Sequence, residues 1–385
     1  MEQLYFTEEH KMLRDMVRDF ARNEVKPLAQ ELDEKGGFPH ESVKKMAKLG
    51  LMGIPWAEKY GGTGMDTLAL VIVIEELGKV CPSTGATVMA HTSLGTAPIA
   101  MFGTEEQKEK YLPGLASGQK IGAFGLTEPN AGSDAGNTQT RAVLNGDYYI
   151  VNGEKAFCTN AGVSSVLIFT AVIVENGKNN RIGAFVVDSD IEGISFNPPE
   201  KKMGWCASDT RSVFFKDMQI PKSAILGNPE KGFKQFLQAL TSGRITIGAL
   251  SIGTAQGAFK RALAYSQERE AFGKSINKFQ GISFKLADMA TQIEAARHLV
   301  YYAAWKKDHG FPVIREAAMA KLFSSETAMQ VTTEAIQVLG GFGYIKEYDV
   351  ERFFRDAKIL EIGEGTSEIQ RMIIARDLIQ SIQTV

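Results

Sequence analysis

The chain has 385 residues, of which 44% are hydrophobic and 23% charged, and 43 basic against 45 acidic side chains leave a formal net charge of −2. This composition is typical of a globular protein with a large core; it excludes a disordered or collagen-like chain and gives no reason to expect a nucleic-acid partner. The longest apolar run, Leu68 to Ile74, is much shorter than the roughly 18 residues that cross a bilayer, so no membrane span is expected.

The first region, residues 1–119, has the periodicity of helices. Apolar residues recur at three- and four-residue steps after Thr7, and the two glutamates that follow Thr7 favour a helix N-terminus there. Asp66 is predicted to cap another helix, and Thr104 with Gln107 has the pattern of a capping box. We therefore expect an N-terminal α-helical domain.

The pattern changes in residues 120–228, where short stretches rich in Val, Ile, Phe and Tyr are separated by turn residues. Asn145-Gly146 and Asn152-Gly153 have the pattern of hairpin turns. We therefore expect an antiparallel, barrel-like middle β domain, with strands over Tyr148–Val151, Val166–Val174, Ile182–Val187 and Ser212–Phe215.

Residues 229–385 return to helical periodicity, which indicates a C-terminal α domain that resembles a four-helix bundle. The predicted fold class is therefore an α+β multidomain protein in the order helical, β, helical. The predicted C-terminal helices include Phe236 to Leu240, Ile282 to Tyr302, Ala317 to Leu339, and Thr366 to Ile379.

The start of the chain and its reactive side chains narrow the class of protein. Residues 1–10 show neither a secretory signal nor an Arg-rich transit peptide, so we expect a cytoplasmic protein. Cys81, Cys158 and Cys206 lack the close spacing of zinc or redox motifs, and the five histidines are scattered. We expect neither a disulfide framework nor a metal site.

The glycine patterns disfavour a Rossmann nicotinamide enzyme, because neither GxGxxG after a strand nor GxxxxGK[ST] is present. Gly340, Gly341 and Gly343 follow a predicted helix, where they fit a helix C-cap better than a phosphate site. Two segments, Phe124–Asp134 and Phe157–Gly162, combine aromatic residues with hydroxyls and small residues. Each suits either the edge of a planar ligand or an ordinary polar loop or strand end.

Six segments in this order resemble the motifs of the acyl-CoA dehydrogenase family. The resemblance covers nearly the whole chain, and the order helical, β, helical agrees with the architecture of that family. The segments are Phe124–Asp134, Phe157–Gly162, Arg269–Gly273, Phe279–Gln280, Gln337–Tyr344 and Glu364–Gln370.

The resemblance implies an FAD enzyme of fatty acid β-oxidation that converts an acyl-CoA to the trans-2-enoyl-CoA and passes the electrons to an electron-transferring flavoprotein. It also implies a homotetramer in which each FAD contacts two subunits. The residues implied to hold the flavin within one subunit are Phe124, Leu126, Thr127, Ser133, Phe157 and Thr159, with Thr159 at the N5 edge. Those implied for the cofactor site shared with the neighbouring subunit are Arg269, Phe272, Gln280, Gln337, Val338, Gly340 and Gly341, and Thr366 and Glu368 complete the site.

By the same resemblance, Glu364 is the base that removes the α-proton while a hydride leaves the β-carbon for flavin N5. Glu361, three residues earlier, is a competitor for which a structural ion pair fits better. Burial would raise the pKa of Glu364, whereas the N-terminus of the following helix would lower it, and both directions stay open. That helix is predicted to begin with a capping box formed by Ser367 and Gln370.

Substrate contacts are implied for Ser133, Thr241, Arg244, Gly363 and Gly365. The alternative for Arg244 is an ion pair on a helix surface. Gly363 stands where many members of the family carry Tyr, which leaves room for a branched, cyclic or aromatic acyl group unless a neighbouring side chain fills it. A plain short chain is the other expectation. Thr241 replaces a frequent Asp, which puts its contact with CoA in doubt.

Two other functions stay open. The same site can act as an enoyl-CoA reductase that takes electrons from reduced electron-transferring flavoprotein, and no motif sets the direction. A non-catalytic flavoprotein scaffold is the third possibility. The presence of Glu364 argues against the scaffold.

Overall fold

The first part of the chain is helical, as predicted, in a computed structural model that describes residues 2–383. Two π-helical turns, Ala21–Val25 and Ala90–Thr96, continue the second and sixth helices. The helices are α1 (Glu2–Tyr5), α2 (Glu8–Phe20), α3 (Lys26–Lys35), α4 (His40–Lys48), α5 (Thr67–Gly78), α6 (Pro82–Met89), α7 (Ala97–Phe102) and α8 (Glu105–Ala116).

The three predicted N-caps are confirmed. Thr7, Asp66 and Thr104 each accept a hydrogen bond at the side chain from the backbone N–H three residues later. These bonds satisfy donors that a helix leaves free at its N-terminus. Short-range side-chain chemistry therefore determines where α2, α5 and α8 begin.

The middle of the chain folds into one mixed sheet. β4 pairs in parallel with β1 and β2 and antiparallel with β5, so the expectation of a purely antiparallel domain was wrong. The nearly continuous apolar run of β4, interrupted at Thr170, is typical of strands in parallel pairings, which are buried on both faces. The strand order is β1-β4-β2-β3-β7-β6, with β5 on β4. The strands are β1 (Gly122–Gly125), β2 (Arg141–Asn145), β3 (Tyr148–Thr159), β4 (Val166–Glu175), β5 (Lys178–Asp188), β6 (Ile194–Phe196) and β7 (Thr210–Pro221).

Only one of the two predicted hairpin turns is a turn. Asn145-Gly146 joins β2 to β3, and Gly146 has a φ of 60°. Asn152-Gly153 instead lies inside β3, where the register with β7 shifts and Gly153 has a φ of 143°. A glycine in a strand often marks such a bulge, which explains the incorrect prediction.

The last region is helical again, and α9, α10 and α11 pack on one another while α13 packs on α11. Gly340 has a φ of 61° and caps α11, as the glycine cluster predicted. The elements are α9 (Gly232–Glu268), the hairpin of β8 (Glu270–Ala271) and β9 (Lys274–Ser275), α10 (Gln280–Asp308), α11 (Ile314–Leu339), α12 (Val350–Ala357) and α13 (Ser367–Gln383).

The two helical regions share one hydrophobic core, in which α5 packs against α9 and α10. Every residue of α5 is buried, which explains the long apolar run of the sequence. A separate apolar cluster joins β4 and β5 to α7, α8 and Phe236 of α9. The first half of α9 therefore lies where the helical regions meet the sheet. Among residues 2–383, no helix has the length and apolar character to span a membrane.

Candidate active site

Glu364 lies on the turn between the 3₁₀ segment Lys358–Glu361 and α13. Its φ is 54° and that of Gly365 is 94°, so a non-glycine residue adopts the left-handed conformation here. Such a conformation costs about 1 to 3 kcal/mol and persists only when the surroundings hold it. The side-chain amide of Gln370 donates to the carbonyls of Glu364 (3.3 Å) and Gly365 (2.8 Å) and holds the turn.

The helix that follows is not capped as predicted. α13 begins at Ser367, and its cap is Thr366, whose hydroxyl accepts a hydrogen bond from the backbone N–H three residues later (3.4 Å). The predicted box of Ser367 and Gln370 was therefore wrong, because the Gln370 amide turns back to the carbonyls of the preceding turn. Glu361 forms an ion pair with Lys358 at 2.6 Å, which agrees with a structural carboxylate.

Both carboxylate oxygens of Glu364 are inaccessible to solvent and have no hydrogen-bond partner. The carboxylate packs against α9 at Gly243, where a Cβ atom would collide with Oε2 and would also approach Leu94. Burial raises the pKa of Glu364 to about 7, and the positive charges of Lys321 and Arg244 oppose that rise. Of the two directions that the sequence leaves open, the effect of burial therefore prevails.

Arg244 follows Gly243 on α9 and is only 6% exposed, so it does not form an ion pair on the helix surface. Its Nη1 donates to the Thr241 hydroxyl at 3.4 Å, whereas its Nε has no partner. Burial lowers the pKa of Arg244, and the charge of Glu364 opposes this. A buried guanidinium with a free donor beside a carboxylate suits a polar ligand group.

Lys321 is a site residue that the motifs did not single out. It lies on α11, is fully buried, and donates from Nζ to the Gly365 carbonyl at 2.8 Å. Burial lowers the pKa of Lys321 to about 8, and the charge of Glu364 opposes this. The signal was present in the helical periodicity, since Lys321 lies on the same face as the buried Ala317 and Ser324.

The two predicted flavin segments lie side by side, because the N–H of Ala156 donates to the carbonyl of Thr127 at 2.8 Å. Phe157 lies at a register shift of β3, with a φ of 56° and 67% of its surface exposed. Bulges of this kind re-aim a side chain, and here the ring points outward. The ring of Phe124 stacks on Phe236 at a centroid distance of 4.1 Å. This contact joins the first segment to α9, the helix that also packs against the Glu364 carboxylate.

A buried ion pair fixes both segments and was not predicted. Nζ of Lys155 lies 2.6 Å from Glu128 and also donates to the Leu126 carbonyl at 3.2 Å. The Glu128 carboxylate accepts the backbone N–H groups of Gln139 (2.6 Å) and Thr140 (3.1 Å) as well. This pair therefore closes the loop that begins with the first segment and ties it to β3. Burial of both charges depends on three-dimensional packing, which the loop sequence does not reveal.

The other residues predicted near the flavin and substrate have the exposure that ligand contact requires. Ser133 and Glu368 are exposed, and the remainder are half-buried, namely Leu126, Thr127, Thr159, Thr241, Gly363, Gly365 and Thr366.

The residues predicted for the shared cofactor site form a second set on the same chain, around an open cavity of about 590 Å³. Phe272 is 96% exposed, and Cβ atoms at Gly340 or Gly341 would meet nothing within 4 Å. The residues predicted to hold the flavin within one subunit are the first set, and none of them lines this cavity. The members that line it are Arg269, Phe272, Val338, Gly340 and Gly341, while Gln280 and Gln337 are exposed at the adjoining helix ends.

Three family profiles match the chain. They are described as the N-terminal domain of acyl-CoA dehydrogenase over residues 7–119, the middle domain over 123–218 and the C-terminal domain over 230–379. The chain belongs to the acyl-CoA dehydrogenase family. The predicted fold class is thereby confirmed, apart from the mixed character of the sheet.

Curated relatives of nearly equal length agree with this assignment. A probable acyl-CoA dehydrogenase of Bacillus subtilis is 53% identical over 97% of this chain and 99% of its own length. A short-chain specific acyl-CoA dehydrogenase of Clostridium acetobutylicum is 50% identical over 96% and 97%. A 3-(aryl)acrylate reductase of Clostridium sporogenes is 44% identical over 98% and 100%.

Solved structures share the whole fold. Butyryl-CoA dehydrogenase from Megasphaera elsdenii superposes with a TM-score of 0.94 and 44% identity, covering 97% of this chain and 99% of that one. A chain solved under the description "Electron transferring flavoprotein of Acidaminococcus fermentans" also gives 0.94, at 45% identity and with 97% and 98% covered.

The protein is therefore an oxidoreductase acting on CH–CH groups, with FAD as its cofactor, and the described residues fit this cofactor. The hydroxyls of Thr127 and Thr159 make no hydrogen bond within residues 2–383, and the exposed ring of Phe157 offers a stacking face beside them. In the second set, the guanidinium of Arg269 and the open backbone at Gly340 suit a diphosphate.

The contact between the Glu364 carboxylate and Gly243 predicts the effect of adding one methyl group at position 243. Gly243→Ala should displace the carboxylate, because the new Cβ would collide with Oε2. A misplacement of about 1 Å costs on the order of 100-fold in rate, so acyl-CoA turnover should fall by that amount while FAD content stays constant.

Gly136→Ala is the control for this measurement. Gly136 is exposed and its Cβ would meet only Oδ1 of Asp134, at 3.9 Å, so turnover should stay close to that of the wild type. Equal steady-state turnover in the two variants would contradict the assigned contact between Glu364 and Gly243.

Proposed function

We propose that the protein oxidises a short or compact acyl-CoA to the trans-2-enoyl-CoA in fatty acid β-oxidation, with Glu364 as the base that removes the α-proton. The observation that carries the proposal is the solvent-inaccessible carboxylate of Glu364, which has no hydrogen-bond partner. FAD supplies the acceptor for the hydride that leaves the β-carbon. The first set of residues, together with Thr366 and Glu368, is proposed to hold the flavin, and Ser133, Thr241, Arg244, Gly363 and Gly365 are proposed to contact the substrate.

The surroundings of Glu364 suit proton removal from a thioester. A base works best when its pKa lies near the operating pH, and burial raises the pKa of Glu364 to about 7. Once the carboxyl group has taken the proton it is neutral, so its burial costs much less than burial of the charged form.

Glu364→Gln tests the assignment of the base. The variant should keep FAD, and the bleaching of its flavin by substrate should slow by about 100- to 10,000-fold, the usual contribution of a general base. In the wild type the bleaching rate should rise with pH through about 7, since only the ionised carboxylate accepts a proton. Anaerobic stopped-flow absorbance measures both effects, and normal bleaching in the variant would remove Glu364 from this role.

The space beside Gly363 supports an acyl group that is short but wide, such as a branched or aromatic one. A Cβ atom at Gly363 would meet only Ile359 within 4 Å, apart from the two chain neighbours, so the space next to the backbone is open at this position. The relatives point to the same range of substrates, since one is short-chain specific and another is named for an aryl acrylate. We therefore favour short, branched or aromatic acyl groups over long straight chains.

Gly363→Tyr should narrow this range. Anaerobic titration of wild type and variant with butyryl-CoA and with branched, cyclic and aryl acyl-CoAs measures the rate of flavin bleaching for each. The bulky acyl groups should lose at least tenfold more rate than butyryl-CoA, which corresponds to about 1.4 kcal/mol of added steric cost. An equal loss for all acyl groups would reject the role of Gly363 in pocket width.

The separation of the two cofactor sets supports a homotetramer in which each FAD contacts two subunits. No residue of the first set lines the cavity of the second set, so one chain presents two partial sites. Large apolar side chains are also exposed in the C-terminal helical region, a feature typical of association surfaces. They include Phe284, Tyr302, Phe311, Phe323 and Met372.

Arg269→Ala tests the second set. The variant should retain less FAD after gel filtration, because the guanidinium that lines the cavity is lost. Arg22→Ala, an exposed position in the first helical region, is the control and should keep full flavin absorbance. Full FAD occupancy in the Arg269 variant would argue against a cofactor role for this cavity.

An electron-transferring flavoprotein is the proposed electron partner, supported by the match to the chain from Acidaminococcus fermentans. Reduction of an enoyl-CoA is the second candidate function, favoured by the 44% identity to a 3-(aryl)acrylate reductase. Adding enoyl-CoAs to the photoreduced enzyme distinguishes the two. Reoxidation of the flavin by an aryl enoyl-CoA much faster than its bleaching by the saturated ester would favour the reductase.

A further inference from the structure

Lys321 is a buried cation that the catalytic steps above do not explain. Its Nζ donates a 2.8 Å hydrogen bond to the carbonyl of Gly365, and the same carbonyl accepts the Gln370 amide at 2.8 Å. Two donors from two helices, α11 and α13, therefore fix the peptide group that follows the base. Because Glu364 has a left-handed φ of 54°, this turn needs support from outside it.

The charges around Lys321 indicate that the carboxylate of Glu364 is its counter-charge. Three carboxylates act on Lys321, namely those of Glu364, Glu361 and Glu326, while Arg244 repels it. Glu361 and Glu326 are each ion-paired with another basic residue at 2.6 Å, whereas Glu364 has no hydrogen-bond partner. A buried cation requires an opposite charge nearby. Of the three carboxylates, Glu364 is the one that remains to provide it.

We propose that Lys321 is a positioning residue for the base: its ammonium group, with the Gln370 amide, holds the turn at Gly365 and supplies a positive charge that faces Glu364. This inference rests on the proposed function, because it assigns Lys321 to the base named there. Lys321 thus makes two separate contributions. It donates a hydrogen bond to the Gly365 carbonyl, as Gln370 also does, and it places a positive charge near Glu364, as Arg244 also does.

The charge has a consequence that a purely structural role lacks. An opposite charge favours the ionised form of a carboxylate, so removal of Lys321 should leave Glu364 protonated up to a higher pH. Only Arg244 would then still oppose the effect of burial. Loss of the Gln370 amide removes a hydrogen bond to the same carbonyl but changes no charge.

The test titrates Glu364 itself in the FAD-loaded enzyme without substrate, by infrared difference spectroscopy of its carboxyl stretch. The spectrum of Glu364→Gln identifies the band. Lys321→Met removes the charge and the donor, and Lys321→Gln removes the charge but keeps an amide, which provides a second neutral variant should the first not fold. Lys321→Arg keeps the charge, and Gln370→Leu is the matched control for the hydrogen bond.

The titration midpoint of Glu364 should rise by about one pH unit in the neutral Lys321 variants, the lower end of the effect of a nearby opposite charge. It should stay at the wild-type value in Lys321→Arg and Gln370→Leu. The pH dependence of flavin bleaching by substrate should shift by the same amount in the same variants.

An unchanged midpoint in the neutral variants, or an equal rise in Gln370→Leu, would overturn the inference. A different result would contradict the proposed function, namely that neither acyl-CoAs nor enoyl-CoAs change the absorbance of the wild-type flavin. The infrared titration needs no substrate, so it decides the role of Lys321 in either case.

Discussion

The burial of the Glu364 carboxylate without a hydrogen-bond partner is the constraint to which the rest of the site is fitted. Removing a carboxylate from water costs several kcal/mol when no donor replaces the water, and the cost shows as a pKa raised to about 7. The structure accommodates it in two ways, since Gly243 leaves space for the carboxylate and the buried cations Lys321 and Arg244 face it. Hydrogen-bond donors would lower that pKa, so the unfavourable burial is also what suits Glu364 to the proposed role of base.

One helix brings this site together with the cofactor segments. α9 has 37 residues and is therefore about 55 Å long at 1.5 Å per residue, and it packs against α5, α10 and α11 as well as the sheet. Phe236 stacks on Phe124 of the first flavin segment, and Gly243 lies two turns further along the same helix. Because both helical regions share one core around α9, the packing of this helix sets the spacing between the predicted flavin segment and the turn that carries Glu364.

The sequence predicted those features that arise from short-range chemistry. Helix starts at Thr7, Asp66 and Thr104 depend on contacts three residues away, and periodicity identified the three regions. Features that depend on distant packing were missed. The Lys155–Glu128 pair spans 27 residues, and the contact of Gly243 with Glu364 and the Lys321 hydrogen bond to Gly365 join two helices to a turn that is distant in sequence. Family motifs supplied Glu364 itself, but motif resemblance indicates the residue proposed to react and says little about the residues packed around it.

The same environment also bears on the direction of reaction, which the proposed acid–base group does not choose. In the proposed mechanism, dehydrogenation requires Glu364 to begin ionised and end protonated, and reduction requires the reverse. With its pKa at about 7, both forms are well populated near neutral pH, so the residue can accept or return a proton without a large energetic penalty. The potentials of the substrate and the electron partner must then set the direction. Relatives named as a dehydrogenase and as a reductase can therefore share one fold over nearly their whole length.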